Sequence, residues 1–147
     1  MMRIYKVAAK RIVLGKFLNA GQTCIAPDYI LVHEKVKEKL LIELKDAIQK
    51  FYTNEAASSN DYGKIISENR FKKLLGYLNK DQIFYGGKSD AAASYIEPTI
   101  LINISLNDDV MKEEIFGPVL PVIAFATTIE AMEIVQQNEN PLAFYPL

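Results

Sequence analysis

Short β-rich runs alternate with longer amphipathic segments along this chain of 147 residues. The clearest amphipathic segment spans residues 36–51, where apolar residues recur at steps of three and four and charged residues fill the other face. Similar spacing predicts helices over residues 3–19 and 71–78. Because strands that are joined through helices run parallel in one sheet, the alternation predicts an α/β fold, a layered and mostly parallel sheet with flanking helices.

β-branched and aromatic residues mark the expected strands. These strands are predicted over residues 29–32, 83–85, 100–104, 119–126 and 142–145. Pro121 lies inside the fourth of them, and proline has no N–H to donate to a ladder, so an edge strand or a bulge is expected there. Thr127 and Glu130 form a capping box, which predicts a helix to about Gln137 that "ENP" then ends. The polar run "TNEAASSNDYG", residues 53–63, is expected to be a loop.

Composition limits the classes of function. Half of the residues are apolar and 24% are charged, which is typical of a globular chain of one domain. The formal net charge of -1 argues against a nucleic-acid partner. The sequence contains no apolar run of about 18 residues, which is the length that a membrane span needs. A single cysteine cannot form an intramolecular disulfide, and no cluster of side chains has metal-ligand spacing. We therefore expect a cytoplasmic protein without a bound metal.

The N-terminal segment is basic. No acidic residue precedes Asp28. The basic side chains before it are Arg3, Lys6, Lys10, Arg11 and Lys16. A solvated face of the first helix is a commoner cause of such a pattern than a phosphate-binding surface, and we favour it.

Cys24 is the one cysteine, and it stands between a small-residue helix break at Ala20-Gly21 and a predicted strand. A free thiol, with a pKa of roughly 8.5, needs help from its surroundings to act as a nucleophile at neutral pH. Gly21 permits a sharp turn, and the N–H of Cys24 can point at a developing oxyanion. Spacing alone favours a buried structural thiol. His33 is interpreted as a surface histidine and not as a base for Cys24, because the strand carries it away from the sulfur.

Four blocks of the sequence resemble the aldehyde dehydrogenase superfamily. "FLNAGQTCI" resembles the family's cysteine signature, and the longer run "GKFLNAGQTCIAPDYILV" is most similar to the branch that oxidises medium-chain, fatty and aromatic aldehydes. The other blocks are "YGGKSDAAASYIEPTIL", "KEEIFGPVLPV" and "NPLAFY". They stand in the family's order, and the resemblance spans essentially the whole chain.

The resemblance implies a reaction and three site residues. Cys24 matches the nucleophile that attacks an aldehyde to give a thiohemiacetal, after which hydride passes to NAD or NADP and the thioester is hydrolysed to a carboxylic acid. Glu114 matches the carboxylate that binds the nicotinamide ribose hydroxyls, and Phe116 matches the aromatic residue that packs beside that ribose. A carboxylate suits this role because it accepts hydrogen bonds from two hydroxyls.

The resemblance also implies missing parts. The family's dinucleotide-binding domain, its general-base glutamate and its oxyanion asparagine lie upstream of the cysteine, and Asn19 is not a substitute for the asparagine. Both ends of the sequence look cut, so residues 1–147 are expected to be a single, partial catalytic domain that lacks the dinucleotide-binding domain and the oligomerisation arm. We expect the isolated chain to bind NAD or NADP poorly and to be inactive or weakly active.

Two alternatives remain open. An activated Cys24 predicts a thiol-dependent esterase, which would release nitrophenol from an activated ester. A truncated, non-catalytic interaction module is the other alternative. The wide apolar surface of the first helix and the last predicted strand lack cover, which predicts a homo-oligomer.

Overall fold

The computed structural model describes residues 2–52, 56–59, 61–137 and 141–146. The α-helices in these parts of the chain are α1 (Met2–Phe17), α2 (Glu34–Tyr52), α3 (Glu68–Gly76) and α4 (Thr128–Gln136). The strands are β1 (Ile30–His33), β2 (Ile83–Tyr85), β3 (Ser89–Asp90), β4 (Tyr95–Ile96), β5 (Thr99–Leu101) and β6 (Val119–Phe125). The predicted helices and the first four predicted strands are confirmed, with shifts of a few residues at their ends.

The main sheet has the strand order β1-β6-β5-β2. β6 runs parallel to both β1 and β5, whereas β2 is antiparallel to β5. β3 and β4 form a separate antiparallel pair. Two of the three neighbouring strand pairs are parallel, so the sheet is mixed but mostly parallel, which confirms the predicted α/β architecture.

Pro121 does not lie on an edge strand, so the first of the two predicted alternatives is wrong. β6 is an interior strand between β1 and β5. Pro121 is the last residue of β6 in register with β5, opposite Leu101, and the pairing with β1 begins one residue later at Val122. The proline is tolerated because its missing N–H falls where β6 changes from one neighbour to the other.

The predicted strand at residues 142–145 is also wrong. Residues 141–146 have no regular structure, and their side chains are exposed. The hydroxyl of Tyr145 donates to the carbonyl oxygen of Ile25 at 3.1 Å. The segment thus contacts the loop that contains Cys24 and does not extend the sheet, because β propensity provides a strand only where a partner edge is available.

α1 packs along α2, and their facing side chains supply much of the core. Val13 and Phe17 of α1 and Leu41 and Leu44 of α2 are all completely buried. The opposite side of α1 carries an exposed apolar stripe of Ile4, Val7 and Leu14, which Leu18 continues directly after the helix. The wide apolar surface predicted for this helix is therefore present, and one side of it faces solvent.

The basic face predicted for the first helix is correct for four of its five residues. Arg3, Lys6, Lys10 and Arg11 are exposed. Lys16 is the exception, because its exposed fraction is 0%. It stands one residue before the end of α1.

The capping box predicted before the last helix is present at the start of α4. The hydroxyl of Thr127 accepts from the N–H of Glu130 at 3.3 Å. The Glu130 carboxylate reaches one residue further than the motif requires and accepts from the N–H of Ala126 at 2.8 Å. The helix stop at "ENP" and parts of the predicted loop at residues 53–63 lie outside the described residues. No described helix is long and apolar enough to cross a bilayer.

Candidate active site

The chain reverses direction directly after α1. Asn19, Ala20 and Gly21 have φ angles of 52°, 54° and 74°, all in the left-handed region. A non-glycine residue in this region costs of order 1 kcal/mol or more, and such strain is concentrated at functional sites. The helix break predicted at Ala20-Gly21 is confirmed, and residues 18–29 form what we call the cysteine loop.

Cys24 is exposed near the middle of the cysteine loop. The N–H of Ala26 donates to the carbonyl oxygen of Thr23 at 3.1 Å, which closes a turn with Cys24 at its second position. Cys24 is therefore exposed in a turn. Spacing alone favoured a buried structural thiol, and the structure does not show one.

Gln22 fixes the cysteine loop to a neighbouring segment. Its Nε2 donates to the carbonyl oxygens of Asn19 at 3.0 Å and Lys64 at 2.8 Å, and its Oε1 accepts from the N–H of Ile66 at 3.0 Å. The side chain is nearly buried. One amide thus satisfies three backbone groups, and the backbone two residues before Cys24 is held in place.

Gly21 brings the cysteine loop against a second loop, residues 112–118, which we call the glutamate loop. A Cβ placed on Gly21 would lie 2.3 Å from the carbonyl oxygen of Gly117. Only glycine permits this approach of two backbones. The two sequence blocks that resemble the family most closely are therefore in direct contact.

A second link between these loops comes from Asp28. Its Oδ1 accepts from the N–H of Ile115 at 3.1 Å. Arg70 of α3 supports the same stretch, because its Nη1 donates to the carbonyl oxygens of Glu114 at 3.4 Å and Ile115 at 3.3 Å. The backbone on both sides of Ile115 is thereby fixed from two elements.

Glu114 is exposed and Phe116 is half-buried. Phe116 has a φ of 45°, again in the left-handed region. The ring lines a groove of about 370 Å³ together with Gln22, Arg70 and Lys73. The groove therefore carries an aromatic wall and two cationic side chains beside the cysteine loop.

Ionic contacts also order the outer side of the glutamate loop. Lys73 pairs with Glu113, and the hydroxyl of Tyr77 donates to the same carboxylate at 3.1 Å. Hydrogen bonds from Lys73 and Tyr77 lower the pKa of Glu113. Burial, followed by the contact with Glu113, raises the pKa of Tyr77 to about 12.

Lys16, near the end of α1, is completely buried. Within the described part of the chain, its Nζ has no hydrogen-bond partner. Burial lowers the pKa of Lys16 from 10.5 to about 8, and the negative charges of Asp28 and Glu114 oppose part of that shift.

His33 is at the far end of β1. Its Nδ1 accepts from the N–H of Lys35 at 3.2 Å, and its ring meets the edge of Phe125 at 5.5 Å between centroids. Both ring contacts of His33 are thus with residues beside it in the fold, Lys35 and Phe125.

The sequence profile of the aldehyde dehydrogenase family matches residues 5–145. The chain belongs to the aldehyde dehydrogenase family. A dog protein named "Aldehyde dehydrogenase, dimeric NADP-preferring" is 45% identical over 139 residues, which cover 95% of this chain and 31% of the dog protein. The chain thus spans about a third of the length of this relative.

Solved aldehyde dehydrogenase structures share the fold. "Substrate bound state of Staphylococcus Aureus AldH" matches with a TM-score of 0.88 at 44% identity, over 90% of this chain and 30% of that one. An NAD-dependent aldehyde dehydrogenase from Sinorhizobium meliloti matches with a TM-score of 0.76 at 30% identity, over 88% of this chain and 27% of that one.

The structure adds residues that sequence reasoning about this aldehyde dehydrogenase chain did not single out. Gln22, Asp28 and Arg70 hold the two loops in place, and Lys16 is completely buried near the end of α1. Gln22 and Asp28 lie within the quoted cysteine block, so their position in it was an available signal. Arg70 and the burial of Lys16 had no local signal. The roles of Cys24, Glu114 and Phe116 stay predictions.

Proposed function

We propose that this chain carries the nucleophile and the nicotinamide-ribose contacts of an aldehyde dehydrogenase, which oxidises an aldehyde to a carboxylic acid with NAD or NADP. The observation that carries the proposal is the contact of Gly21 with Gly117, because it sets the exposed Cys24 turn beside the loop of Glu114 and Phe116. The similarity to the dog and Staphylococcus proteins supports the same chemistry.

Cys24 is proposed to act as the nucleophile. Its sulfur adds to the aldehyde carbon to form a thiohemiacetal, and the oxygen of the former carbonyl gains the negative charge that the N–H of Cys24 can stabilise. Its exposed position in the turn lets a carbonyl group reach the sulfur. The fixed backbone at Gln22 limits the motion of the thiol during the attack.

The glutamate loop is proposed to hold the ribose next to the nicotinamide. The residues fit such a group: Glu114 offers an exposed carboxylate, and the ring of Phe116 lines a groove that also carries Arg70 and Lys73. The carboxylate accepts from two hydroxyls. Arg70 favours an anionic ligand, whereas Lys73 is already paired with Glu113. NAD or NADP, when bound, accepts the hydride.

The activity of the 147 residues alone is proposed to be low. Loss of a positioned general base typically lowers a rate about 10²–10⁴-fold, and the family's base glutamate lies in a motif that these residues do not contain. A homo-oligomer is proposed as well, supported by the exposed apolar stripe of α1. The word "dimeric" in the dog protein's name agrees with this proposal.

The direct experiment is the appearance of reduced nicotinamide absorbance on adding an aromatic or medium-chain aldehyde to the full chain with NAD or NADP. We expect a slow signal that Cys24→Ser abolishes. Lys45→Ala, at an exposed position of α2 outside the groove, is the matched control and should leave the signal unchanged. A signal of equal size in Cys24→Ser would contradict the proposal.

A thiol-dependent esterase is the second candidate, and the exposure of Cys24 in a strained loop favours it. A burst of nitrophenol from a nitrophenyl ester that Cys24→Ser abolishes, with no aldehyde-dependent reduction of NAD or NADP, would select the esterase. A non-catalytic module would instead show neither signal and would self-associate in light scattering.

A further inference from the structure

Arg70 holds two consecutive carbonyl groups of the glutamate loop. Its Nη1 donates to the carbonyl oxygen of Glu114 at 3.4 Å and to that of Ile115 at 3.3 Å. Because one nitrogen serves two acceptors, each bond is longer than the usual distance of about 2.9 Å. These carbonyls belong to the two peptide units that link Glu114 to Phe116. Arg70 therefore contacts the backbone between the two residues that are proposed to bind the cofactor.

The first of these peptide units is bonded at both ends. The N–H of Ile115 donates to Oδ1 of Asp28 at 3.1 Å, and the carbonyl of Glu114, in the same peptide unit, accepts from Arg70. A peptide unit is positive at its N–H and negative at its C=O, so a carboxylate on one side and a guanidinium on the other stabilise the same orientation. Rotation of this unit would break both bonds. The direction in which the side chain of Glu114 leaves the backbone is thereby restrained.

The second peptide unit precedes a residue in a strained conformation. Phe116 has a φ of 45°, which is unfavourable for any residue other than glycine. Rotation of the peptide unit between Ile115 and Phe116 would relieve this strain. The bond from Arg70 to the carbonyl of Ile115 opposes that rotation from the side of α3. The ring of Phe116 is thus kept in the wall of the groove.

The start of α3 is also bonded to the cysteine loop. The N–H of Ile66, two residues before the helix, donates to Oε1 of Gln22 at 3.0 Å. Ser67 then caps the helix, because its hydroxyl oxygen accepts from the backbone N–H of Arg70 at 3.4 Å. The side chain of Arg70 continues this path to the glutamate loop. The first turn of α3 is therefore a support that both loops share, and its residues line the groove between them.

We propose that Arg70 is a positioning residue that, by holding the two peptide units between Glu114 and Phe116, sets the orientation of the carboxylate and the ring relative to each other. It does so through the backbone of the glutamate loop, and this role is separate from the attraction of the guanidinium for an anionic ligand. The consequence for cofactor binding rests on the function proposed above. The restraint of the two peptide units does not.

Hydrogen exchange of the Ile115 amide in the full chain, without cofactor, tests the restraint. Arg70→Met keeps a long side chain and removes the donors, so exchange at Ile115 should become faster by about five- to tenfold, the effect of losing one net hydrogen bond. The amide of Leu41, a completely buried residue of α2, reports global unfolding. Equal acceleration at both amides would show a general loss of stability, and no acceleration at Ile115 would show that the unit is not restrained. Either result would overturn the proposal.

Two further variants complete this test. Arg11→Met, at an exposed position of α1, is the matched control and should leave exchange at Ile115 unchanged. If it accelerates that exchange as much as Arg70→Met does, the effect comes from lost charge and not from the contact, and the proposal fails. Arg70→Gln has a polar side chain that is too short to serve both carbonyls. It provides the same comparison if Arg70→Met does not fold.

Cofactor titration separates this proposal from the proposed function. If wild type binds NAD or NADP, Arg70→Met should bind it more weakly, by about fivefold or more, the usual size of a coupling between neighbouring groups. Weaker binding with unchanged exchange at Ile115 would show that Arg70 acts only by direct attraction, which overturns the positioning role. Faster exchange with unchanged affinity would overturn the link to the cofactor. If wild type binds neither cofactor at millimolar concentration, the proposed cofactor role of Glu114 fails, whereas the exchange data still decide the role of Arg70.

Discussion

The backbone of Gly21 lies against the carbonyl group of Gly117, and no side chain fits between them. A Cβ on Gly21 would stand 2.3 Å from the Gly117 oxygen, and the φ of Gly21 is 74°. Both the close approach and the left-handed backbone exclude other residues at this position. This one contact joins the loop of the candidate nucleophile to the loop of the candidate cofactor residues.

Gly21→Ala should therefore lower the free energy of unfolding by about 2–4 kcal/mol, through strain and steric overlap. Urea titration measures this loss. Gly76→Ala is the matched control, because no atom lies within 4 Å of a Cβ placed there, at the end of α3. That variant should be neutral or stabilised by about 0.4–1 kcal/mol. Equal stability of Gly21→Ala and wild type would show that the two loops are not in contact.

Stability should rise between pH 8 and pH 10. The pKa of Lys16 is about 8 in the folded chain and 10.5 without burial, so in this range the unfolded chain binds more protons and deprotonation favours the fold. The gain is roughly 3 kcal/mol at most. Urea titrations at pH 7, 8, 9 and 10 measure it.

Above pH 10 the trend should reverse. Burial raises the pKa of Tyr62, so its phenol ionises more readily in the unfolded chain, which then becomes favoured. Lys16→Met should lose the rise and keep the fall. A wild-type curve that is flat or declining from pH 8 to 10 would contradict the buried charge.

Gln22→Leu should destabilise the cysteine loop, because the N–H of Ile66 and the carbonyl oxygen of Lys64 lose their partner. These hydrogen bonds are partly buried, and the loss of each costs about 0.5–1.5 kcal/mol. Differential scanning calorimetry and the rate of alkylation of Cys24 measure the effect on the fold and on the loop. Gln136→Leu, on the exposed side of α4, is the control. Equal melting temperatures in the two variants would contradict the role of Gln22.

The sequence predicted the elements because their signals are local. The three- and four-residue spacing of residues 36–51 gave α2, and the apolar run at 83–85 gave β2 at its observed bounds. Residues 142–145 show the limit of that method, since their composition suits a strand but no sheet edge receives them. Pro121 shows the same limit, because β6 accepts a proline only where its pairing changes from β5 to β1.

The candidate site was predicted only in part, for a related reason. The blocks around Cys24 and Glu114 are recognisable one by one, and the break at Ala20-Gly21 follows from small residues. The bond between Asp28 and Ile115 joins positions 87 residues apart, which no local pattern predicts. The burial of Lys16 likewise depends on tertiary packing, whereas its sequence neighbours suggested a solvated face.

The most direct test of the account is the rate at which iodoacetamide alkylates Cys24, the single cysteine, with and without saturating NAD or NADP. If Glu114 and Phe116 hold the nicotinamide ribose beside the cysteine loop, the bound cofactor covers the sulfur and slows alkylation, and Glu114→Gln needs a higher cofactor concentration for the same protection. An alkylation rate that is the same with and without either cofactor would contradict the claim that the two loops form one site.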